Sequence, residues 1–163
     1  MVAKQDQQRI VQLSEEPIDL ASAYQFLQTP EAGGISIFAG ITRRWTNGKE
    51  TLCLNYTCYE TMAQEEMHRL VDLASSKWIL HRVCLIHRMG QVPVSEASVV
   101  IGVATSHRPE AFEACRFLID QLKIQVPIWK HETYTDGTAS WIEGTHPPEP
   151  HVSDDNMVRA SII

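Results

Sequence analysis

No apolar run in the 163 residues approaches the roughly 20 residues that a membrane-spanning helix needs. The longest, Val99 to Ala104, is short and is interrupted by Gly102, so no membrane role is expected. The opening stretch, Met1 to Arg9, is polar and lacks the apolar region of a secretory signal, which makes a cytoplasmic protein the expectation. Positive charge is in deficit. Fourteen Lys plus Arg face twenty Asp plus Glu, for a formal charge of -6 and a pI near 5.6, a balance that opposes binding to nucleic acid or to anionic lipid. Cysteine is scarce: Cys53, Cys58, Cys84 and Cys115 stand singly in apolar segments, without C-x-x-C spacing. That excludes a disulfide framework and the usual paired-thiol metal and redox sites, and leaves packing in the core as their reading. The seven histidines form neither H-E-x-x-H nor a Cys/His ligand set, so no metal is expected. Also missing are G-x-G-x-x-G, the P-loop pattern and G-x-S-x-G. Dinucleotide binding, P-loop chemistry and the α/β-hydrolase nucleophile lose their fingerprints, and no cofactor is expected.

What remains is an ordinary globular composition, 44% hydrophobic and 21% charged. Apolar periodicity predicts a helix after Asp19, carried by Leu20, Ala23, Tyr24 and Leu27, then strands over Gly34–Gly40 and Leu52–Cys58 joined through Asn47-Gly48. A second helix is predicted over about Glu60 to Trp78. Strands over Val83–His87 and Ser98–Ser106 follow, separated by a loop containing Gly90 and Pro93. Behind Pro109 comes the best-marked helix, on Ala111, Phe112, Cys115, Leu118, Ile119 and Leu122, and then a hairpin of Ile128–Tyr134 and Ser140–Ile142 across Asp136-Gly137. The order αββαββαββ favours an α+β domain with a largely antiparallel sheet, since a doubly wound fold alternates strand and helix one by one. Residues 1–143 are read as a single domain and the Pro-rich, acidic residues 144–163 as a flexible C-terminal tail.

In an acidic protein the informative cations are those that the backbone aims. Three groups qualify. Phe38-Ala-Gly-Ile-Thr-Arg43-Arg44 runs from a strand into a loop through Gly40 and presents two guanidiniums. Ser106-His107-Arg108-Pro109 places a His and an Arg at a helix start, where free N–H groups and the helix dipole favour an anion. Asp120 to Glu132 carries Lys123 near a helix C-terminus and Lys130 in a strand whose period-2 alternation puts Lys130 and Glu132 on one face. That pair reads either as a surface cross-strand pair or as a tuned ammonium. Together these residues describe a pocket with several cations for a small anionic ligand, with proton transfer by Lys or His.

At these groups the chain resembles the large, catalytic subunit of molybdopterin synthase. The likeness spans about Gly34 to Ile142 and rests on Phe38-x-Gly40-x-x-Arg43, Tyr59-Glu60-x-Met62, His87-Arg88-x-Gly90, Ser106-His107-Arg108-x-x-Ala-Phe112 and Lys123-x-x-x-Pro127-Ile-Trp-Lys130-x-Glu132. The resemblance implies an α/β-hammerhead fold and a homodimer that binds two copies of a small ubiquitin-like sulfur carrier, giving a two-plus-two heterotetramer. It implies a sulfurtransferase of molybdenum cofactor biosynthesis. Two sulfurs pass from the carrier's thiocarboxylated C-terminus to cyclic pyranopterin monophosphate, making the molybdopterin dithiolene. The alternative is a non-catalytic scaffold that binds the carrier. Carried over residue by residue, substrate contacts fall on Ile41, Thr42, Arg43, His107, Arg108, Lys123, Lys130 and Glu132, with Lys123 and Lys130 as the catalytic pair and Glu132 orienting Lys130. Some members of the family donate an arginine across the dimer from just beyond the last hairpin; here that stretch reads Gly144-Thr145-His146, and His146 or Arg44 is the expected substitute.

Overall fold

The computed structural model describes residues 8–142; the expectations for the tail 144–163 and for His146 lie outside them. Its organising strand is β7 (Ala97–Thr105), ASVVIGVAT, which is apolar almost throughout and buried along nearly its whole length. Such a run fits a strand covered on both faces. Alternation then sorts its side chains. Val99, Ile101 and Val103 join Val83 and Leu85 of β5 (Arg82–Arg88) in the main core, beneath α2 (Glu60–Lys77) and α3 (Arg108–Gln125). Val100, Ala104 and Cys84 turn to the opposite face and meet Ala23 and Leu27 of α1 (Leu20–Leu27). Asp19 caps α1: its carboxylate accepts from the backbone N–H of Ala21 and Ser22 at 2.9 and 3.2 Å and from the Ser22 hydroxyl at 2.6 Å, which holds its pKa below the usual carboxylate value.

The first sheet runs β1-β5-β7-β2, where β1 is Arg9–Ser14 and β2 is Gly34–Ile41. All its pairings are antiparallel except β1 with β5. A second, five-stranded sheet is built on β4 (Lys49–Cys58). On one side β4 pairs with β8 (Ile128–Tyr134), which pairs in turn with β9 (Ala139–Trp141). On the other side it carries the short β3 (Trp45–Thr46) and β6 (Gly90–Pro93). The architecture is α+β with largely antiparallel sheets, as the sequence predicts. No helix among the described residues is long and apolar enough to cross a membrane.

Three details correct the reading of elements. The chain has a strand before α1: β1, polar at Gln12 and packed through Val11 and Leu13 on the main core, is further tied to α2, because Gln64 Nε2 donates to the Val11 carbonyl at 2.7 Å. The segment with Gly90 and Pro93 is a strand, not a loop; Gly90, Gln91, Val92 and Pro93 pair with Tyr56, Asn55, Leu54 and Cys53. And β3 divides the β2–β4 connection, with Asn47 and Gly48 at φ 49 and 80° making the two-residue turn between β3 and β4.

The start of α3 is fixed by glycine. A Cβ on Gly33 would overlap the carbonyl oxygen of Ser106, and one on Gly34 would lie 3.2 Å from the backbone nitrogen of Arg108. The main chain before and at the start of β2 therefore lies directly against the turn that opens the helix. Gly33→Ala is expected to destabilise the protein by about 1–3 kcal/mol through overpacking against rigid backbone, lowering the unfolding midpoint by about 2–4 °C per kcal/mol for a chain of this size. Thermal or urea unfolding of the variant checks this; a wild-type midpoint contradicts the close approach.

Candidate active site

A cleft of about 370 Å³ opens where the end of β2, the last turns of α3 and one face of the second sheet converge. That volume falls in the range of small-molecule sites. Strand alternation builds one wall. Ile128, Lys130 and Glu132 of β8 line the cleft, whereas Trp129 and His131 turn to the other face, against Tyr59 and Trp141 at ring-centroid distances of 5.3 and 4.9 Å. Register aligns the neighbouring strand: Leu54 lies opposite Glu132 and Tyr56 opposite Lys130, and both also face the cleft. Helix α3 contributes Ile119, Leu122 and Lys123, the end of β2 contributes Ile41, and the segment after it contributes Arg43. His87 of β5 and Ser98 and Val99 of β7 complete the inner side.

Arg43, Lys123 and Lys130 thus converge on one space. The consequence is visible at Lys130, which is half-buried. Its pKa is pushed down, first by burial and then by the charges of Lys123 and Arg43, against an opposing pull from Glu132. A lowered ammonium pKa eases the loss of its proton, the direction that proton transfer by lysine requires. The buried Glu132 forms no ion pair with Lys130. Its carboxylate accepts from the Thr51 hydroxyl and, at 3.4 Å, from the Tyr134 hydroxyl, which also lies 3.1 Å from Ser140 Oγ. Glu132 therefore acts on Lys130 through its charge rather than by holding it.

The residues expected at the site divide into two sets. Ile41, Arg43, Lys123, Lys130 and Glu132 meet in the cleft. Thr42 does not line it. Its side chain is buried and its hydroxyl has no hydrogen-bond partner among the described residues, while its backbone is clamped: Thr42 N–H donates to the Glu96 carbonyl at 3.1 Å and its carbonyl accepts from Ser95 N–H at 2.9 Å. Ser95, at φ 72°, makes the tight turn, and Glu96 is ion-paired to Arg88. The clamp follows a β-bulge between Gly40 and Ile41 and sets where Arg43 emerges.

His107 and Arg108 stand elsewhere. Both are exposed at the first turn of α3, with His107 as its N-cap, and Lys123 lies in the last turn of the same helix. Fifteen residues of helix separate Arg108 from Lys123, about 22 Å at 1.5 Å per residue. Neither His107 nor Arg108 lines the cleft that Lys123 enters.

Tyr56, Ser98 and Thr51 carry no site signal in the sequence, and Phe38 and His87 stand in motifs that assign them no role. Their positions come from register and sheet order, which no local pattern displays. The only available signal was the alternation of Leu52, Leu54, Tyr56 and Cys58.

Comparison with known proteins gives a consistent result. The sequence model described as MoaE protein matches residues 13–125. The molybdopterin synthase catalytic subunit of Arabidopsis thaliana is 35% identical over 97% of this chain and 82% of its own length. The Drosophila melanogaster protein of the same name is 43% identical over 88% of this chain, which spans only 40% of that relative. Among solved structures, molybdopterin synthase from Staphylococcus aureus superposes with a TM-score of 0.76 at 31% identity, covering 81% of this chain and 96% of that one. The same fold occurs at a TM-score of 0.69 and 22% identity, over 83% of this chain and 92% of that one, in the complex of subunits 1 and 2 of molybdopterin-converting factor from Helicobacter pylori. With more than half of its length matched by the family's own sequence model and a relative at 35% identity aligned over 97% of this chain and 82% of its own length, the chain belongs to the MoaE protein family.

Proposed function

We propose that this chain is the catalytic, sulfur-transferring subunit of molybdopterin synthase, acting in molybdenum cofactor biosynthesis in the cytoplasm. The observation that carries the reading is the convergence of Arg43, Lys123 and Lys130 on one cleft of a protein that is otherwise acidic. Cyclic pyranopterin monophosphate and a carrier thiocarboxylate are both anionic, and charge-assisted contacts from such cations bind them. In the reaction, the thiocarboxylate sulfur of a small ubiquitin-like carrier attacks a carbon of the substrate, and as the C–S bond forms that carbon's C–O bond breaks, its oxygen leaving as water after protonation or with the phosphate. The resulting thioester is hydrolysed, leaving sulfur on the substrate and a carboxylate on the carrier, and a second carrier repeats the transfer. Lys130, with its lowered pKa, supplies and removes protons, and Lys123 stabilises the charge that develops during attack. Arg43 holds the phosphate. A scaffold that only binds the carrier has no need for two lysines facing each other's charge inside the cleft.

The same reading gives His107 and Arg108 a task. Since α3 holds them about 22 Å from Lys123, they serve the cleft of a second copy in a homodimer, and that dimer binds two carriers. The four cysteines stay out of the chemistry. Cys84 and Cys115 are buried and Cys58 half-buried, and burial pushes all three thiols above their ordinary pKa, that of Cys84 to about 11. None of these three is an activated thiolate.

Lys130→Ala and Lys123→Ala are each expected to slow formation of molybdopterin from cyclic pyranopterin monophosphate and thiocarboxylated carrier by about two to four orders of magnitude, with unfolding unchanged. Near wild-type turnover by Lys130→Ala removes the catalytic assignment. The dimer is tested by mixing and refolding Lys130→Ala with Arg108→Ala. If Arg108 acts across the dimer, half of the mixed dimers' clefts are intact and the mixture regains about a quarter of wild-type activity; if it acts within its own chain, nothing is regained. Single Cys→Ser variants at 53, 58, 84 and 115 should keep their activity, and mass spectrometry during turnover should show this chain unmodified. A persulfide on any cysteine overturns the carrier-borne mechanism.

A further inference from the structure

The inner side of the cleft holds polar groups that sulfur transfer leaves without a task. Tyr56, His87 and Ser98 line it, deeper than the exposed Arg43 and Lys123. Their protons are already committed. The Tyr56 hydroxyl donates to Ser98 Oγ at 3.2 Å, and the Ser98 hydroxyl donates to the Gly40 carbonyl at 3.2 Å. His87 is 4% exposed and meets the Tyr56 ring edge-on at 4.9 Å between centroids. Its Nδ1 lies 2.9 Å from the Arg88 carbonyl. A carbonyl only accepts, so Nδ1 carries the hydrogen and Nε2 keeps a lone pair. Burial holds the ring neutral, with its pKa lowered to about 4. Among the described residues no donor meets Nε2.

This side of the cleft is therefore a wall of acceptors: His87 Nε2, the remaining lone pair of Tyr56 Oη and the Glu132 carboxylate. The outer side is a set of donors, Arg43, Lys123 and Lys130. Such a cleft is sorted for a ligand that is anionic at one end and rich in N–H groups at the other. A reduced pterin bearing a cyclic phosphate has this polarity, since its amino group and ring nitrogens present hydrogens and its phosphate presents oxygens.

We propose that His87 Nε2 and the Tyr56 phenolic oxygen form the subsite that accepts hydrogen bonds from the N–H edge of the substrate's heterocycle and so selects it over other phosphate esters. The proposal rests on the substrate reading given above. Its physical basis is that a site built to hydrogen-bond a group rejects the analogue that lacks it, because buried acceptors are then left unpaired. The cations cannot provide this selection, since any phosphate ester satisfies them.

Binding is measured by calorimetry on the complex assembled with carrier lacking the thiocarboxylate, so that no turnover occurs. The two ligands are cyclic pyranopterin monophosphate and a cyclic sugar phosphate without a heterocycle. His87→Phe and Tyr56→Phe should each weaken binding of the pterin about tenfold or more and leave the affinity for the sugar phosphate unchanged, whereas Arg43→Ala should weaken both. Tyr56→Phe removes a single oxygen and carries the test if His87→Phe does not fold. Pterin binding at wild-type strength in both variants overturns the subsite. So does an equal loss of both ligands, which marks a collapsed cleft. A wild-type protein that binds the sugar phosphate but not the pterin overturns the substrate reading itself, and with it the subsite, before any variant is made.

Discussion

The pairing of β4 with β8 decides whether this protein has a site. Its register sets Tyr56 against Lys130 and Leu54 against Glu132, and because side chains alternate strictly along a strand, these four share the face that looks into the cleft. A slip of one residue would turn Lys130 and Glu132 outward and bring Trp129 and His131 in their place. Several contacts hold the register. The Thr51 hydroxyl reaches across to Glu132, Thr135 N–H bonds the Glu50 carbonyl of β4 at 2.9 Å just beyond the end of β8, and Tyr59 packs edge-on against Trp129 on the far face. The contact that buries Glu132 is thus also one that locks the strand carrying Lys130.

The arrangement answers an electrostatic difficulty. Three cations in one space repel one another, and a half-buried ammonium loses solvation as well. Glu132 offsets part of this from a fixed position: it pulls on Lys130 by charge but stays hydrogen-bonded to Thr51 and Tyr134 rather than pairing with the lysine. A direct ion pair would neutralise the lysine that has to meet an anion. Held at a distance, the carboxylate tempers the repulsion and leaves the cation available.

Much of this was legible in the residues. Asp19 announced the helix it caps, Asp136-Gly137 the last hairpin, and the Lys130-x-Glu132 spacing the shared face of β8. Other features were hidden for physical reasons. β1 is short and polar at Gln12, and its partner, β5, lies more than sixty residues further along the chain. β6 contains a glycine and a proline, which normally mark a turn; Pro93 is tolerated because it sits at the end of a short strand. The family likeness gathers His107 and Arg108 with the lysines into one set of substrate contacts, whereas α3 holds Arg108, with His107 as its cap, at one end and Lys123 at the other. Thr42 stands beside Ile41 and Arg43 in the sequence, yet the Ser95–Glu96 clamp fixes its backbone and its side chain is buried away from the cleft.

The close approach of Gly33 and Gly34 to the Ser106–Arg108 backbone pins the first turn of α3, so the helix can neither slide along the sheet nor turn about its axis. It then works as a measuring rod, and what it measures is phase as well as length. A residue inserted anywhere between Arg108 and Lys123 would carry Lys123 about 100° around the axis and 1.5 Å along it, out of the cleft, without altering a single side chain. Exposed positions such as Arg116 and Asp120 are free to vary in identity. The number of residues between the two ends is not.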